Sequence, residues 1–68
     1  MTKRYNEIMQ KKEADRTVKD MVYLNACNCI KEKRKLSEVE KCGLGDFMAN
    51  VIWNTAVHDN LIEEQGGW

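Results

Sequence analysis

The stretch FMANVIWNTAVH, Phe47 to His58, runs for twelve residues without an Asp, Glu, Lys or Arg, in a 68-residue chain that is 32% charged. A helix with no charged side has to be covered around most of its circumference. A chain this short buries only about 60% of the surface its unfolded form exposes. Small domains therefore need a staple: disulfides, a metal, a second copy, or closely packed helices. What covers residues 47–58 is the question that limits both fold and function.

Breakers and periodicity set the secondary structure. There is no proline, and the four glycines stand at Gly43, Gly45, Gly66 and Gly67. Long runs free of both residues favour helix. The one β-like run, Met21 to Leu24, has no partner of similar character and no hairpin turn. The expected fold is all-α: a small three-helix bundle with a short additional helical turn near 37–43. The chain is read as a single helical domain, 1–68, with helices over about 3–15, 16–35, 37–43 and 46–64. Thr2 is placed to cap the first, which sets Tyr5, Ile8 and Met9 on one side. Thr17 with Asp20, and Ser37 with Glu40, have the spacing of capping boxes. No breaker separates the first two helices, so their continuity stays open. Ala14, Val18, Met21, Val22, Asn25 and Cys29 share one face of the second, and Tyr23, Cys27 and Ile30 another. It closes on Lys31, Lys33, Arg34 and Lys35, where cations favour the negative end of the helix dipole. Gly43-Leu44-Gly45 reads as a turn and Asp46 as the next cap. The uncharged stretches 21–30 and 47–58 are expected to pair as the core.

The last helix has two apolar sides. At about 100° per residue, Leu44, Met48, Val51, Thr55, His58 and Ile62 share one face, with Phe47 and Leu61 beside it. That face is expected to point inward, with His58 partly buried. Ala49, Trp53, Ala56 and Val57 lie opposite and are expected to form an interface, with a second copy or with a larger protein; the alternative is that Trp53 packs under the N-terminal helix of the same chain. Trp68 joins them as an anchor, because tryptophan is enriched among interface hot spots.

Charge is unevenly placed. Residues 1–41 hold all eleven Lys and Arg against seven acids, a net of +4; residues 42–68 hold Asp46, Asp59, Glu63, Glu64 and no base. Such polarity can orient a partner, including another copy meeting basic end to acidic end. The N-terminus MTKRYNEIMQKK lacks the apolar run of a secretion signal. Twelve uncharged residues fall short of the roughly 20 that span a bilayer. A cytoplasmic protein with no membrane partner is expected, its three cysteines acting as small apolar side chains.

Little in the chain resembles reactive chemistry. Cys27, Cys29, Cys42 and His58 are four candidate zinc ligands, but residues two apart on a helix point away from each other. No metal, cofactor or enzyme activity is expected. A Cys–His nucleophile pair has no oxyanion donors beside it.

The run Leu36 to Ile52, LSEVEKCGLGDFMANVI, resembles a phage-repressor-type helix-turn-helix. Gly43 matches the turn glycine, Leu44 the apolar position after it, Ala49 and Ile52 the inward positions of the second helix, and Cys42 the apolar position before the turn. The resemblance covers seventeen residues. Glu38 stands where the motif carries an apolar residue, and the second helix has no Arg or Lys. What it implies is a dimeric DNA-binding regulator. Asn50 and Asn54 would read bases, and Lys31, Arg34, Lys35 and Lys41 would hold the phosphate backbone. The reading preferred from the residues is a small non-enzymatic interaction module. It would act as a regulator or inhibitor through helical association, of a size that suits a phage or mobile-element accessory protein.

Overall fold

The computed structural model describes residues 2–64; Trp68 lies outside them. The described residues form three α-helices and two 3-10 turns, without a strand. Helix α1 spans Lys3–Gln10, α2 Val18–Lys31 and α3 Asp46–Glu64, with 3-10 turns at Glu13–Asp15 and Val39–Lys41.

Side-chain caps, rather than breakers, cut the chain into these elements. The Thr2 hydroxyl accepts from the Tyr5 amide and starts α1. Helix α1 stops at Gln10 although neither Pro nor Gly follows it. The Arg16 guanidinium folds back and donates to the carbonyls of Ile8 and Met9, both at 3.2 Å. Both carbonyls belong to the last turn, where Ile8 also accepts from the Lys11 amide, and a cation there suits the helix dipole. Thr17 and Asp20 then form both bonds of a capping box and open α2. The first two helices are therefore separate, and both are shorter than the hydrophobic pattern suggests.

Helix α2 ends in a Schellman motif. The amide of Arg34 donates to Cys29 and that of Lys33 to Ile30, and Lys33 takes the left-handed backbone, φ 60°, that the motif requires. The next segment is pinned by Glu40. Its carboxylate takes a forked pair of bonds from Arg34, at 2.7 and 3.0 Å, and one from the Ser37 amide at 3.0 Å. Cys42 and Gly43 are both left-handed, at φ 54° and 79°, and turn the chain into α3.

The core lies where α2 crosses α3, with α1 closing one end. Val22, Tyr23, Ala26 and Cys27 from α2 meet Ile52 and Ala56 from α3 and Ile8 from α1. Met21 and Val18 stay largely exposed, as does Ala14 in the first 3-10 turn.

Helix α3 is rotated relative to the sequence expectation. Ala49 and Ala56 are buried in the protein's own core together with Ile52, so they do not face a partner. Trp53 is half-buried and packs against the same core, and Val57 is half-buried beside it. The expected inward face is split: Leu44, Met48 and Thr55 are half-buried, while Val51, His58 and Ile62 are exposed. The cause is polar. Tyr23 is buried and its hydroxyl needs an acceptor, which Asp59 supplies at 2.7 Å. Asn60 bonds the Cys27 thiol from the same side. Asp59 and Asn60 share their side of α3 with the buried Ala49 and Ala56.

Candidate interaction surface

With Ala49, Ile52 and Ala56 turned inward, the opposite face of α3 carries Phe47, Asn50, Val51, Asn54, His58, Leu61 and Ile62, all exposed. Phe47 is 79% exposed, Leu61 52% and Val51 43%. Exposed apolar residues standing singly are ordinary; here Phe47 and Val51 at one end and Leu61 and Ile62 at the other share one side of α3, with the polar Asn54 and His58 between them. Phe47, Val51, Asn54, His58 and Leu61 are spaced alternately four and three residues apart. This is the spacing of a coiled-coil seam.

The row is also uncharged. Between Asp46 and Glu63 the only ionised side chain on α3 is Asp59, and it points inward. Its Oδ2 accepts from Tyr23 at 2.7 Å and from Arg4 at 3.2 Å. The direction of that network is fixed. The Asp59 carboxylate can only accept, so the Tyr23 hydroxyl gives it its proton, and the Thr2 hydroxyl, which accepts from the Tyr5 amide, donates to Tyr23 at 2.8 Å. Arg4 also lies over the Tyr23 ring, 5.7 Å from its centroid. Burial, with the Asp59 carboxylate beside it, holds the Tyr23 hydroxyl well above its usual range. The Oδ2 of Asp59 is thus held within the fold, while its Oδ1 stands 4.0 Å from Nδ1 of His58 on the outer face.

Beside this face, at the N-terminal end of α3, lies an open groove of about 330 Å³ lined by Lys35, Leu36, Lys41, Asp46, Asn50 and Trp53 among others. Lys41 bridges Glu38 at 2.9 Å and Asp46 at 3.0 Å. Arg34 pairs with Glu32 and Glu40. Two of the four cations assigned to phosphate are therefore held by acids of the same chain. Lys31 and Lys35 are exposed at the end of α2 and just beyond it.

The helix-turn-helix resemblance meets a mixed geometry. Gly43 does occupy the turn, Ala49 and Ile52 do point inward, and Asn50 and Asn54 are exposed together. Where the motif has its first helix, the chain forms only the 3-10 turn Val39–Lys41, with Val39 86% exposed.

The cysteines and the histidine are dispersed. Cys27 is buried against Asn60, and Cys29 is buried with its thiol 3.5 Å from both Glu40 carboxylate oxygens. Burial pushes both thiols up, which disfavours the reactive thiolate. Cys42 is exposed in the turn, and His58 sits on the outer row of α3, exposed rather than partly buried. Among the described residues, no three His, Cys, Asp or Glu side chains stand close enough to share a metal. None of the described helices is long and apolar enough to cross a membrane. No protein-family model matches this chain, and neither a curated protein nor a solved structure does so.

Of the residues the sequence assigned to an interface, Ala49 and Ala56 are core, and Trp53 and Val57 are half-buried. The missed signal was Asp59. It is the one acid between Asp46 and Glu63, and it stands on the side that meets the buried Tyr23 hydroxyl and Arg4.

Proposed function

We propose that this chain is a small, non-enzymatic interaction module, a regulator or inhibitor that acts by helical protein–protein association. Its working surface is the outer face of α3. The observation that carries this reading is the uncharged row Phe47, Val51, Asn54, His58 and Leu61, exposed along a helix whose other side already supplies the core. Covering Phe47 would contribute up to roughly 1.5–3 kcal/mol, and Val51 and Leu61, about half-exposed already, would add about half as much each. That is a sizeable sum beside the few kcal/mol that hold a domain of this size together. Three unpaired thiols fit a reducing, cytoplasmic setting.

The test compares the wild type with Phe47→Glu and Val51→Glu as baits in cell lysate. Both side chains lie outside the core, so both variants are expected to stay folded. Partner proteins, or added copies of the chain, retained by the wild type and lost by both variants are the expected outcome. Equal retention by all three baits would contradict this reading.

A second reading, a dimeric helix-turn-helix regulator, draws support from the shared exposure of Asn50 and Asn54 beyond a glycine turn. It predicts a gel shift on mixed-sequence DNA at low salt that weakens steeply as salt rises. Absence of such a shift removes it.

A further inference from the structure

We propose that Ser37 is a phosphorylation site for a base-directed serine kinase, and that its phosphate takes the Arg34 guanidinium from Glu40. The site stands apart from the outer face of α3 and goes beyond the association reading.

Ser37 is the one serine of the chain. It is exposed, in the stretch 34–37, which is neither helix nor turn. An acceptor hydroxyl has to reach the catalytic aspartate of a kinase, and a segment with no helical bonds to break reaches it most easily. The other hydroxyls of the described residues are worse placed. Thr2 and Tyr23 are buried, and Tyr5 and Thr55 are half-buried. Thr17 is exposed, but the arginine before it, Arg16, is spent on the carbonyls of Ile8 and Met9.

Three cations precede Ser37. Lys33, Arg34 and Lys35 are all exposed. A kinase with acids along its substrate groove selects such a run by charge. Among the described residues Lys33 and Lys35 join no ion pair, so they can be read while Arg34 stays engaged. In the transfer, Oγ of Ser37 attacks the γ-phosphorus of ATP, and the bond from that phosphorus to ADP breaks. The hydroxyl proton passes to the kinase aspartate.

A receptor for the new charge already lies beside the hydroxyl. Oε1 of Glu40 accepts from the Ser37 amide at 3.0 Å and from Arg34 at 2.7 Å, so serine and arginine meet on one oxygen. The Ser37 hydroxyl accepts from the Glu40 amide at 3.3 Å. A phosphate there adds about two negative charges next to the carboxylate. Both anions then compete for one guanidinium, and the phosphate brings the larger charge and a third acceptor oxygen. Glu40 loses its forked pair, and the clamp between the end of α2 and the turn Val39–Lys41 loosens.

The test incubates the folded full chain with ATP, magnesium and a serine kinase selective for basic residues before the acceptor. A parallel sample takes a kinase selective for acids after it. The expected result is one phosphoryl group from the first kinase, located on Ser37, absent in Ser37→Ala and added severalfold more slowly when Lys33→Gln and Lys35→Gln are combined. No transfer, or transfer by the acid-selective kinase alone, overturns the assignment. The phosphate is then titrated by phosphorus NMR. Held by Arg34, it sheds its second proton at a lower pH in the folded chain than in the same chain unfolded in urea. This difference is expected to persist in the doubly substituted chain, which keeps Arg34. Equal midpoints in folded and unfolded wild type, or loss of the difference without the two lysines, overturns Arg34 as the receptor.

Discussion

The Tyr23 hydroxyl donates to Asp59 across 2.7 Å and joins the middle of α2 to the last third of α3. Tyr23 is 3% exposed, and its hydroxyl also accepts from the buried Thr2. This one residue sets the rotation of α3, and so decides which of its apolar sides is left outside. Tyr23→Phe strands the Thr2 hydroxyl and removes a bond to a carboxylate. It should cost about 1–3 kcal/mol in urea unfolding. A midpoint within experimental error of wild type would show that packing alone orients α3. Because the folded-state value of Tyr23 is raised above its usual 10.0, its contribution is present below pH 10. It fades as pH climbs through the folded value.

Glu40 supplies an acid-sensitive clamp. The Arg34 guanidinium, helped by the Ser37 amide, lowers its carboxyl from 4.5 to about 2. A depressed carboxylate stabilises the fold above its unfolded value and loses that effect as pH falls through the folded one. Wild-type stability should therefore decline between pH 4.5 and about 2 by more than that of Glu40→Gln. Urea midpoints across this window check it, and parallel declines would count against the clamp.

Lys33 holds a left-handed backbone at the end of α2, where a residue with a Cβ is strained by roughly 1–2 kcal/mol. Glycine relieves the strain but loses more chain entropy on folding. Lys33→Gly is expected to raise stability by about 0.5–1 kcal/mol without altering the far-ultraviolet spectrum.

The two sides of α3 should respond differently to the same charge. Ala56 is fully buried, so Ala56→Glu places an unpaired carboxylate in the core and should unfold the chain. Phe47→Glu should leave helicity and thermal midpoint nearly unchanged. Circular dichroism of both variants decides this. A folded Ala56→Glu protein would mean that α3 is rotated toward the orientation expected from the hydrophobic pattern.

Much of the fold was legible in the sequence because it is written in local side-chain chemistry. Thr2, Thr17 with Asp20, and Ser37 with Glu40 make the capping bonds their spacing suggests, and Gly43 turns where a turn is needed. Two features were not legible. The end of α1 depends on Arg16 reaching back to Ile8 and Met9, a contact with no breaker residue to announce it. The rotation of α3 is hidden by its composition, since apolar residues on every side make the helical period nearly silent. The tie between Tyr23 and Asp59, 36 residues apart, resolves it. Hence Ala49 and Ala56, expected at an interface, are core, while Val51 and Ile62, expected in the core, are outside.

Sedimentation equilibrium over a wide concentration range, on the wild type and on Val51→Glu, tests the central claim most directly. Association through the outer face of α3 predicts that the wild-type mass rises above 7.9 kDa, alone or with a protein captured from lysate added, while Val51→Glu remains at 7.9 kDa. A wild-type mass fixed at 7.9 kDa in both settings, or a complex that Val51→Glu leaves intact, would contradict it.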